Sequence, residues 1–310
     1  MTIGIDMIVA IIVAMMTAAT PLLFAALGEL VTEKSGVLNL GVEGMMLVGA
    51  VTGFATTAAT GSGTLGVIAA AVAGAAMALL FAILTLALLA NQVATGLALT
   101  LFGVGLSALI GRSFVGMPLP RLPVLDIPGL TDLPIVGPLL FGHDTLIYLG
   151  LAAVPAIHLF LNRTRAGLIL RAVGESHDAA HAIGYPVIRI RLLATLFGGA
   201  MSGIGGAYLS LVYTPMWAEN MTSGRGWIAL ALVVFATWKP VNLLIGAYIF
   251  GGVSIVQLHA QGAGLAVPSQ IMSMLPYLAT ILVLVLISRD QVRIRLNAPH
   301  CLGKSFHPIA

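Results

Sequence analysis

Long apolar runs, separated by short clusters of polar and turn-forming residues, make up most of the chain. Nine of these runs approach the roughly 20 residues that an α-helix needs to cross a bilayer. The pattern therefore predicts an all-α, polytopic membrane protein with about nine transmembrane helices. The runs lie at 7–28, 43–60, 65–89, 92–111, 144–162, 192–213, 225–238, 241–258 and 270–288, and the run at 225–238 is the shortest.

Composition supports this class. Of the 310 residues, 59% are hydrophobic and 8% are charged, whereas a soluble domain has about 25% charged residues. The 36 glycines suit helices that pack closely in lipid. The one cysteine, Cys301, permits no intrachain disulfide. The formal net charge of +3 is informative through the positions of the basic residues, and it does not indicate a nucleic-acid partner.

Those positions predict the orientation of the chain. With the C-terminus inside, the inner segments hold eleven basic residues and the outer segments hold three. By the positive-inside rule, this asymmetry places the N-terminus outside and the C-terminus in the cytoplasm. The inner set is Lys34, Arg163, Arg165, Arg171, Arg189, Arg191, Lys239, Arg289, Arg293, Arg295 and Lys304, and the outer set is Arg112, Arg121 and Arg225.

Two longer hydrophilic segments interrupt the apolar runs. Residues 112–143 are rich in proline and glycine, which predicts an irregular outer loop. Residues 163–191 form the largest inner segment. Neither is large enough for a separate domain, so we expect one transmembrane domain over 1–288 and a cytoplasmic tail over 289–310.

A short helix is predicted within the inner segment. Ser176 can cap its start and Asp178 suits its positive end. Gly184 and Pro186 end it after about two turns. Its small apolar side could fit a groove on a cytoplasmic partner. The alternative is an ordinary loop helix that contacts only its own chain.

The same helix contains HDAAH, His177 to His181, which is similar to the H-E-x-x-H pattern of zinc proteases. The two histidines share a helix face, but Asp178 is one methylene shorter than the glutamate that such a site uses as base. No third ligand is evident nearby in the sequence, so we expect a solvated pair of histidines. GKS at 303–305 lacks the first glycine and the strand of a phosphate-binding loop. We therefore expect no catalytic residue, metal or cofactor in this chain.

Polar residues inside the apolar runs are candidates for a solute path. Asn39 and Glu43 share a helix face, and three glycines between positions 36 and 44 predict a discontinuous helix there. A carboxylate in the bilayer normally faces a partner or a water-filled cavity, which favours a lining role. The alternative is that Glu43 anchors the inner end of the helix or pairs with Lys34.

Two further groups extend this candidate path. Asn91, Gln92 and Thr95 form a second polar break in an apolar region. An outer group combines aromatic rings, which can stack on a flat base, with an amide, which can read its edge. For its first tryptophan, an interfacial anchor is the alternative. The outer group consists of Trp217, Glu219, Asn220, Arg225 and Trp227.

Four sequence blocks carry a resemblance to a known family. The longest is RAVGESHDAAHAIGYPVIRIRLLATLFGGAMSGIGGAYLSL, which resembles the cytoplasmic loop and following helix of bacterial ABC importer permeases. That family serves branched-chain amino acids, ribose-type sugars and nucleosides. Two more of its signatures are similar to GVLNLGVEGMMLVGA and ANQVATGLALTLFGVG. The fourth block, GRGWIALALVVFATWKP, resembles the nucleoside-type branch more than the ribose branch.

The resemblance implies a transport subunit of the bacterial inner membrane that imports a small polar solute by alternating access. The first candidate for this solute is a nucleoside. A second homologous permease would complete the pore, cytoplasmic ATP-binding cassette subunits would hydrolyse ATP, and an extracytoplasmic binding protein would deliver substrate. Tyr185 departs from the family's commoner aliphatic residue. A simple-sugar permease and an intramembrane metalloprotease are the alternatives. The resemblance assigns ATPase coupling to Gly174, Glu175, Ser176, Ala179, Ala180, Ile183 and Gly184.

Overall fold

The computed structural model of the chain describes residues 4–262, 268–288 and 297–307. Within these ranges the regular structure is helical, with three isolated β-bridges besides. Two of the helices continue into a π-helical turn, Ile83–Ala87 and Leu209–Tyr213. The helices are α1 Ile5–Lys34, α2 Val42–Thr60, α3 Gly63–Ala82, α4 Gln92–Gly111, α5 Val136–Leu140, α6 Thr145–Arg163, α7 Arg165–Glu175, α8 His177–Ala182, α9 Val187–Tyr208, α10 Arg225–Phe235, α11 Pro240–Gly262 and α12 Ser269–Ser288.

Each of the nine predicted runs coincides with a helix, so the all-α, polytopic class is confirmed. Seven helices, α1, α2, α3, α4, α6, α9 and α11, are long and apolar enough to cross a membrane. Helix α12 has 20 residues, but α10 has only 11. The irregular loop at 112–143 contains one 3₁₀ turn, Arg112–Phe114, and the five-residue α5.

The inner segment holds more helix than the sequence predicted. The predicted short helix is α8, and the Ser176 hydroxyl accepts the N–H of Ala179 at 3.3 Å as its cap. Before it lies α7, an amphipathic helix that the sequence analysis did not identify. Its buried stripe includes Leu170 and Val173, while Leu168 on the opposite side is 59% exposed. The spacing of these apolar residues was the available signal for α7.

Helices α1, α2, α3 and α9 form the packed centre of the bundle. Glycine allows their closest contacts. A methyl group placed on Gly203 of α9 would collide with the carbonyl of Ala70 on α3, and one on Gly206 would collide with the carbonyl of Met46 on α2. Such close backbone approach is typical of small-residue stripes in lipid. Gly203 and Gly206 of α9 therefore serve packing within the chain.

The two ends of the bundle differ in their residues. At the end that we call the basic end, Lys34, Arg171, Lys239 and Asn297 line one polar cavity of about 420 Å³. The opposite end, the loop end, carries residues 112–143. There the N–H of Leu119 donates to the carbonyl of Pro215 at 3.0 Å.

The structure thus gathers segments predicted inside at one end and segments predicted outside at the other. The end that faces the cytoplasm remains the prediction from charge. Arg289, Arg293 and Arg295 lie outside the described residues.

Candidate functional site

Helix α10 begins in the middle of the bundle. A methyl group placed on Gly226 would lie 2.5 Å from the Cα of Glu43, so the two backbones touch. The next residue, Gly44, packs against Leu99 and Thr100, near the centre of α4. With 11 residues, α10 is about 16 Å long, or roughly half of a hydrocarbon core of about 30 Å.

The chain reaches this point through residues 214–224, which we call the re-entrant loop. Near its start, Trp217 packs against Gly111, the last residue of α4 at the loop end. The loop then descends to Gly224, and α10 continues to the basic end, where the Trp238 indole donates to Glu33 at 2.5 Å. The shortest predicted run is therefore a half-length helix. Arg225, predicted on the outside, lies at mid-depth instead, because the loop has already entered the bundle.

The carboxylate of Glu43 caps α10. Its Oε1 accepts hydrogen bonds from the Thr222 hydroxyl at 2.6 Å and the Gly224 N–H at 2.7 Å, and its Oε2 accepts one from the Gly226 N–H at 2.5 Å. The residue is 3% exposed. The first N–H groups of a helix lack partners within the helix and carry partial positive charge. Because water is excluded here, a carboxylate from another helix is a strong acceptor for them.

The re-entrant loop is braced by its own residues. Asn220 and Ser223 have positive φ angles of 54° and 48°, so two tight bends turn the chain. The Arg225 guanidinium donates to the carbonyls of Met221 and Thr222 at 3.2 and 3.3 Å, and it lies 5.4 Å from the centre of the Tyr213 ring. These contacts fix the loop within the bundle.

One side of the loop and of α10 is exposed, and we call it the polar face. Tyr277 of α12 joins it by donating to the Ser223 carbonyl at 3.1 Å. Trp227 is 38% exposed and Tyr277 is 46% exposed. Polar groups open to their surroundings at membrane depth are costly unless they line a water-filled path or a partner. The polar face consists of Glu219, Asn220, Ser223, Trp227 and Tyr277.

Several residues predicted to line the path lie inside the protein. The Asn39 amide oxygen accepts the Gly41 N–H at 2.9 Å, and the residue has no exposed surface. Gln92, 2% exposed, accepts the Leu38 N–H at 2.8 Å. Glu43 caps α10 as described, and Trp217 is 1% exposed. The side-chain oxygens of Asn39, Gln92 and Glu43 accept backbone N–H groups at breaks in the helices, because a buried break needs partners. The Trp217 indole nitrogen has no hydrogen-bond partner among the described residues.

The other predicted residues reach the surface. Asn91 is exposed, and its side chain caps α4 by accepting the Ala94 N–H at 3.0 Å. Thr95 is half-buried one turn later. Glu219, Asn220 and Trp227 belong to the polar face. Of the outer group, Glu219, Asn220 and Trp227 are therefore exposed on the re-entrant loop and at the start of α10, whereas Asn91 and Thr95 lie at the start of α4.

Two buried carboxylates at the basic end of α1 were not among the residues predicted from the sequence. Glu29 and Glu33 are 0% and 1% exposed. Glu29 accepts the N–H of Asn39 at 3.0 Å, and Glu33 holds the indole of Trp238. Together they tie the break at 35–41 and the far end of α10 to α1. Their spacing of four in an apolar helix was the signal.

The short helix α8 presents two different sides. Ala180 is 3% exposed and packs with Val173, Val187 and Phe306. Ile183, at the other side, is 72% exposed. Ala179 and Ala182 are exposed with it. Ala180 therefore faces the chain's own tail, and the free side of the helix is the one around Ile183.

Residues 297–307 cover the buried side of α8, and we call them the tail strap. The Cys301 N–H donates to the Gly174 carbonyl at 2.9 Å, and the Gly303 N–H donates to the Gly36 carbonyl at 3.1 Å. Arg191 donates to the Lys304 carbonyl at 3.0 Å. The tail strap thus links α8 to the break between α1 and α2.

The histidine pair is part of this packing. The rings of His177 and His181 both lie 5.3 Å from the Phe306 ring in edge-on contact. The Nδ1 of His177 is 2.9 Å from the Cys301 sulfur. Burial, with a contribution from Arg191, lowers the pKa of His177. Among the described residues, no group of three or more His, Cys, Asp or Glu side chains could hold a metal ion.

Over nearly its whole length the chain is similar to transporter permeases. A family model described as the permease component of the branched-chain amino acid transport system matches residues 11–285. A putative glucose ABC transporter permease protein of Haloferax volcanii is 43% identical over 95% of this chain and 96% of its own length. A guanosine ABC transporter permease protein of Bacillus subtilis is 31% identical, over 95% and 97%. A nucleoside ABC transporter permease protein of Lactococcus lactis is 30% identical, over 89% and 91%. No solved structure matches.

Proposed function

We propose that this chain, which belongs to the family of permease components of branched-chain amino acid transport systems, carries a nucleoside across the membrane. It is a multi-pass ABC transporter permease of the sugar and nucleoside type, located in the cytoplasmic membrane. The proposal adds the substrate, the path and the partner surfaces to this general description.

The observation that carries the proposed path is the polar face at mid-depth. Exposed polar side chains beside a half-length helix are the arrangement in which a transport path offers hydrogen bonds to a solute. Glu43 contributes indirectly, since its cap holds α10 where the polar face can form. In alternating access, a second permease subunit supplies the opposite wall, and the substrate passes between the two faces.

The chemistry of the polar face favours a nucleoside. Trp227 and Tyr277 present aromatic rings that can stack on a base, and the Asn220 amide can both donate to and accept from its edge. Two of the relatives above are named for guanosine or nucleosides. A simple sugar is the second candidate, because the Haloferax volcanii relative is named as a putative glucose permease. Sugar hydroxyls would use the same amide.

The ATPase partner is proposed to dock at the basic end on the free side of α8. That side offers Ala179, Ala182 and Ile183, which are small or apolar and exposed. Gly174, Glu175, Ser176, Ala180 and Gly184 shape the helix and its ends rather than the contact itself. ATP hydrolysis belongs to that partner, and the substrate-binding protein is expected at the loop end.

Uptake measurements test the substrate and the path together. Cells expressing the complete transporter take up radiolabelled guanosine, and excess unlabelled guanosine should compete far better than glucose. Asn220→Ala and Trp227→Ala should each lower uptake per assembled complex about tenfold, since a lost hydrogen bond or stacking contact costs roughly 1–1.5 kcal/mol. Leu101→Ala is the control, because Leu101 is 73% exposed on α4, away from the polar face.

Two results would change the proposal. If glucose competed and guanosine did not, the substrate would be a simple sugar, and the proposed path would still stand. Normal uptake in both polar-face variants would remove the polar face from the path.

A further inference from the structure

A long apolar groove lies on the side of the bundle formed by α6 and α9. Its volume is about 710 Å³, within the roughly 300–1,000 Å³ typical of ligand sites. Helix α1 contributes Phe24 and Val31 to it, and α7 closes its basic end with Ile169 and Leu170. Apart from Tyr185, its lining has no side chain that can form a hydrogen bond. We call this surface the α6–α9 groove.

The groove follows the direction of the membrane normal. On α9 it extends from Ile190 to Ile204, about 21 Å at the helical rise of roughly 1.5 Å per residue. One leaflet of hydrocarbon is about 15 Å thick, half of a core of about 30 Å. Its wall is open to the surroundings, since Leu193 is 67% exposed and Leu149 is 49% exposed. The groove is therefore longer than one leaflet is thick, so an acyl chain of that leaflet can lie along it, and its apolar lining suits such a chain.

Basic residues stand at the closed end of the groove. Arg189 lies one turn before the lining residue Leu193, and Arg165 lies one turn before the lining residue Ile169. Residues four apart share a helix face, so Arg165 and Arg189 lie on the helix faces that line the groove, at its closed end. Both residues are exposed, and neither forms an ion pair among the described residues. This pair of guanidinium groups complements a phosphate.

We propose that the α6–α9 groove binds one anionic phospholipid of the leaflet at the basic end. Its acyl chain lies along α9, and its headgroup phosphate contacts Arg165 and Arg189. The site has a consequence for coupling, because α6 and α9 are the helices that enter and leave the segment 164–186 containing α7 and α8. A lipid bound between α6 and α9 sets the distance between the two helices at the ends that join this segment.

The test uses the purified full-length protein in vesicles with a phosphatidylglycerol that bears a photoactivatable acyl chain, or with the matching phosphatidylcholine. Labelled peptides are mapped by mass spectrometry. Phosphatidylglycerol should label α6 and α9 peptides about 25-fold more than phosphatidylcholine, since each of the two arginines near an anionic headgroup contributes roughly fivefold. Arg165→Gln with Arg189→Gln should bring this ratio close to one. Ala156→Trp, which fills the groove from α6, should reduce labelling by both lipids.

Matched variants keep the test specific. Arg121→Gln removes a basic residue of the loop end, and Leu101→Trp enlarges an exposed residue of α4 outside the groove; neither should change the labelling of α6 or α9. Equal labelling by the two lipids in the unmodified protein would overturn the proposal. So would efficient disulfide cross-linking between two chains carrying Phe197→Cys in a Cys301→Ser background, because the occupant would then be a second copy of the chain.

Discussion

Two short helices, α10 and α8, are each held in place by a distant part of the chain, but by different chemistry. At mid-depth, one buried carboxylate on α2 accepts three hydrogen bonds from the start of α10 and the residues before it. At the basic end, α8 is covered by the tail strap through ring contacts and single backbone hydrogen bonds. The depth of each helix explains the difference.

Within the bundle, no water is available to accept a hydrogen bond from an unpaired N–H group, so nothing offsets the free-energy cost of removing that group from water. At the start of α10, the carboxylate of Glu43 alone accepts hydrogen bonds from several of these donors. At the basic end, water can replace any one contact of the tail strap. We therefore expect α10 to depend strongly on one residue, Glu43, and α8 to depend weakly on several.

Replacing Glu43 by leucine should have the largest effect. Two backbone N–H groups and one hydroxyl would lose their acceptor, at about 1–3 kcal/mol each, giving a loss on the order of 4 kcal/mol. The yield of monodisperse protein should fall severely, and its Tm in detergent should drop. Glu43→Gln keeps one acceptor oxygen and should lose roughly half as much. An unchanged yield and Tm in Glu43→Leu would show that the cap contributes nothing.

Gly226→Ala tests the same contact from the side of α10. The added methyl would lie 2.5 Å from the Cα and N of Glu43, so the two backbones must separate, at about 1–3 kcal/mol for overpacking. The measurement is again Tm, with guanosine uptake per assembled complex. Gly105→Ala in α4 is the matched control, since its added methyl meets nothing within 4 Å. If both alanine variants behaved alike, the close approach would carry no energetic weight.

The sequence was sufficient to predict most of the fold, because crossing helices are a property of local hydropathy. The nine apolar runs and the cap of α8 by Ser176 depend only on neighbouring residues. The structure has a helix at each run and shows the cap, and seven of the helices are long and apolar enough to cross a membrane. The depth of α10 could not be predicted in this way. It depends on contacts between Glu43 and residues about 180 positions later in the chain, and the hydrophobic periodicity of the sequence gives no information about such contacts.

The candidate site shows the same division. The polar character of Asn39, Glu43 and Gln92 was evident, but the same side chain can face a solute or satisfy a broken backbone. Glu29 and Glu33 were missed because they stand near Lys34 and resemble a solvated helix end. Distinguishing these roles requires the positions of distant backbone N–H groups.

Phe306→Ala should have a moderate, local effect on the tail strap. The ring contacts both histidines of α8, and each such ring pair contributes about 0.5–1.5 kcal/mol. Hydrogen exchange of residues 176–183 should accelerate, while Tm changes little. Phe102→Ala, at a residue that is 51% exposed on α4, removes the same ring elsewhere and should leave α8 unaffected. Equal exchange of α8 in the two variants would contradict a role for the tail strap in holding it.

The smallest effect should come from pH, through His177. Burial, with Arg191 second, lowers the pKa of this imidazole in the packed state, while Asp178 opposes the shift and Lys304 adds to it. When the tail strap is released from α8, the pKa of His177 is near its ordinary value of about 6.5. As the pH falls below that value, the released state takes up the proton first. Packing of the tail strap should therefore be strongest above pH of about 6.5 and weaken in acid.

Hydrogen exchange at the amides of Cys301 and Gly303 measures this weakening, because both amides donate across the contact. After correction for the intrinsic effect of pH on exchange, their protection should be lower at pH 5.5 than at 7.5 by a few-fold at most. His177→Gln keeps a polar side chain without a titration in this range, so its protection should be weaker but independent of pH. A pH dependence that survives in His177→Gln would assign the effect to another group at this contact, such as Asp178 or His181. His177→Gln should leave the protection of the Gly226 amide in α10 unchanged, because that amide donates to Glu43 and not to the tail strap.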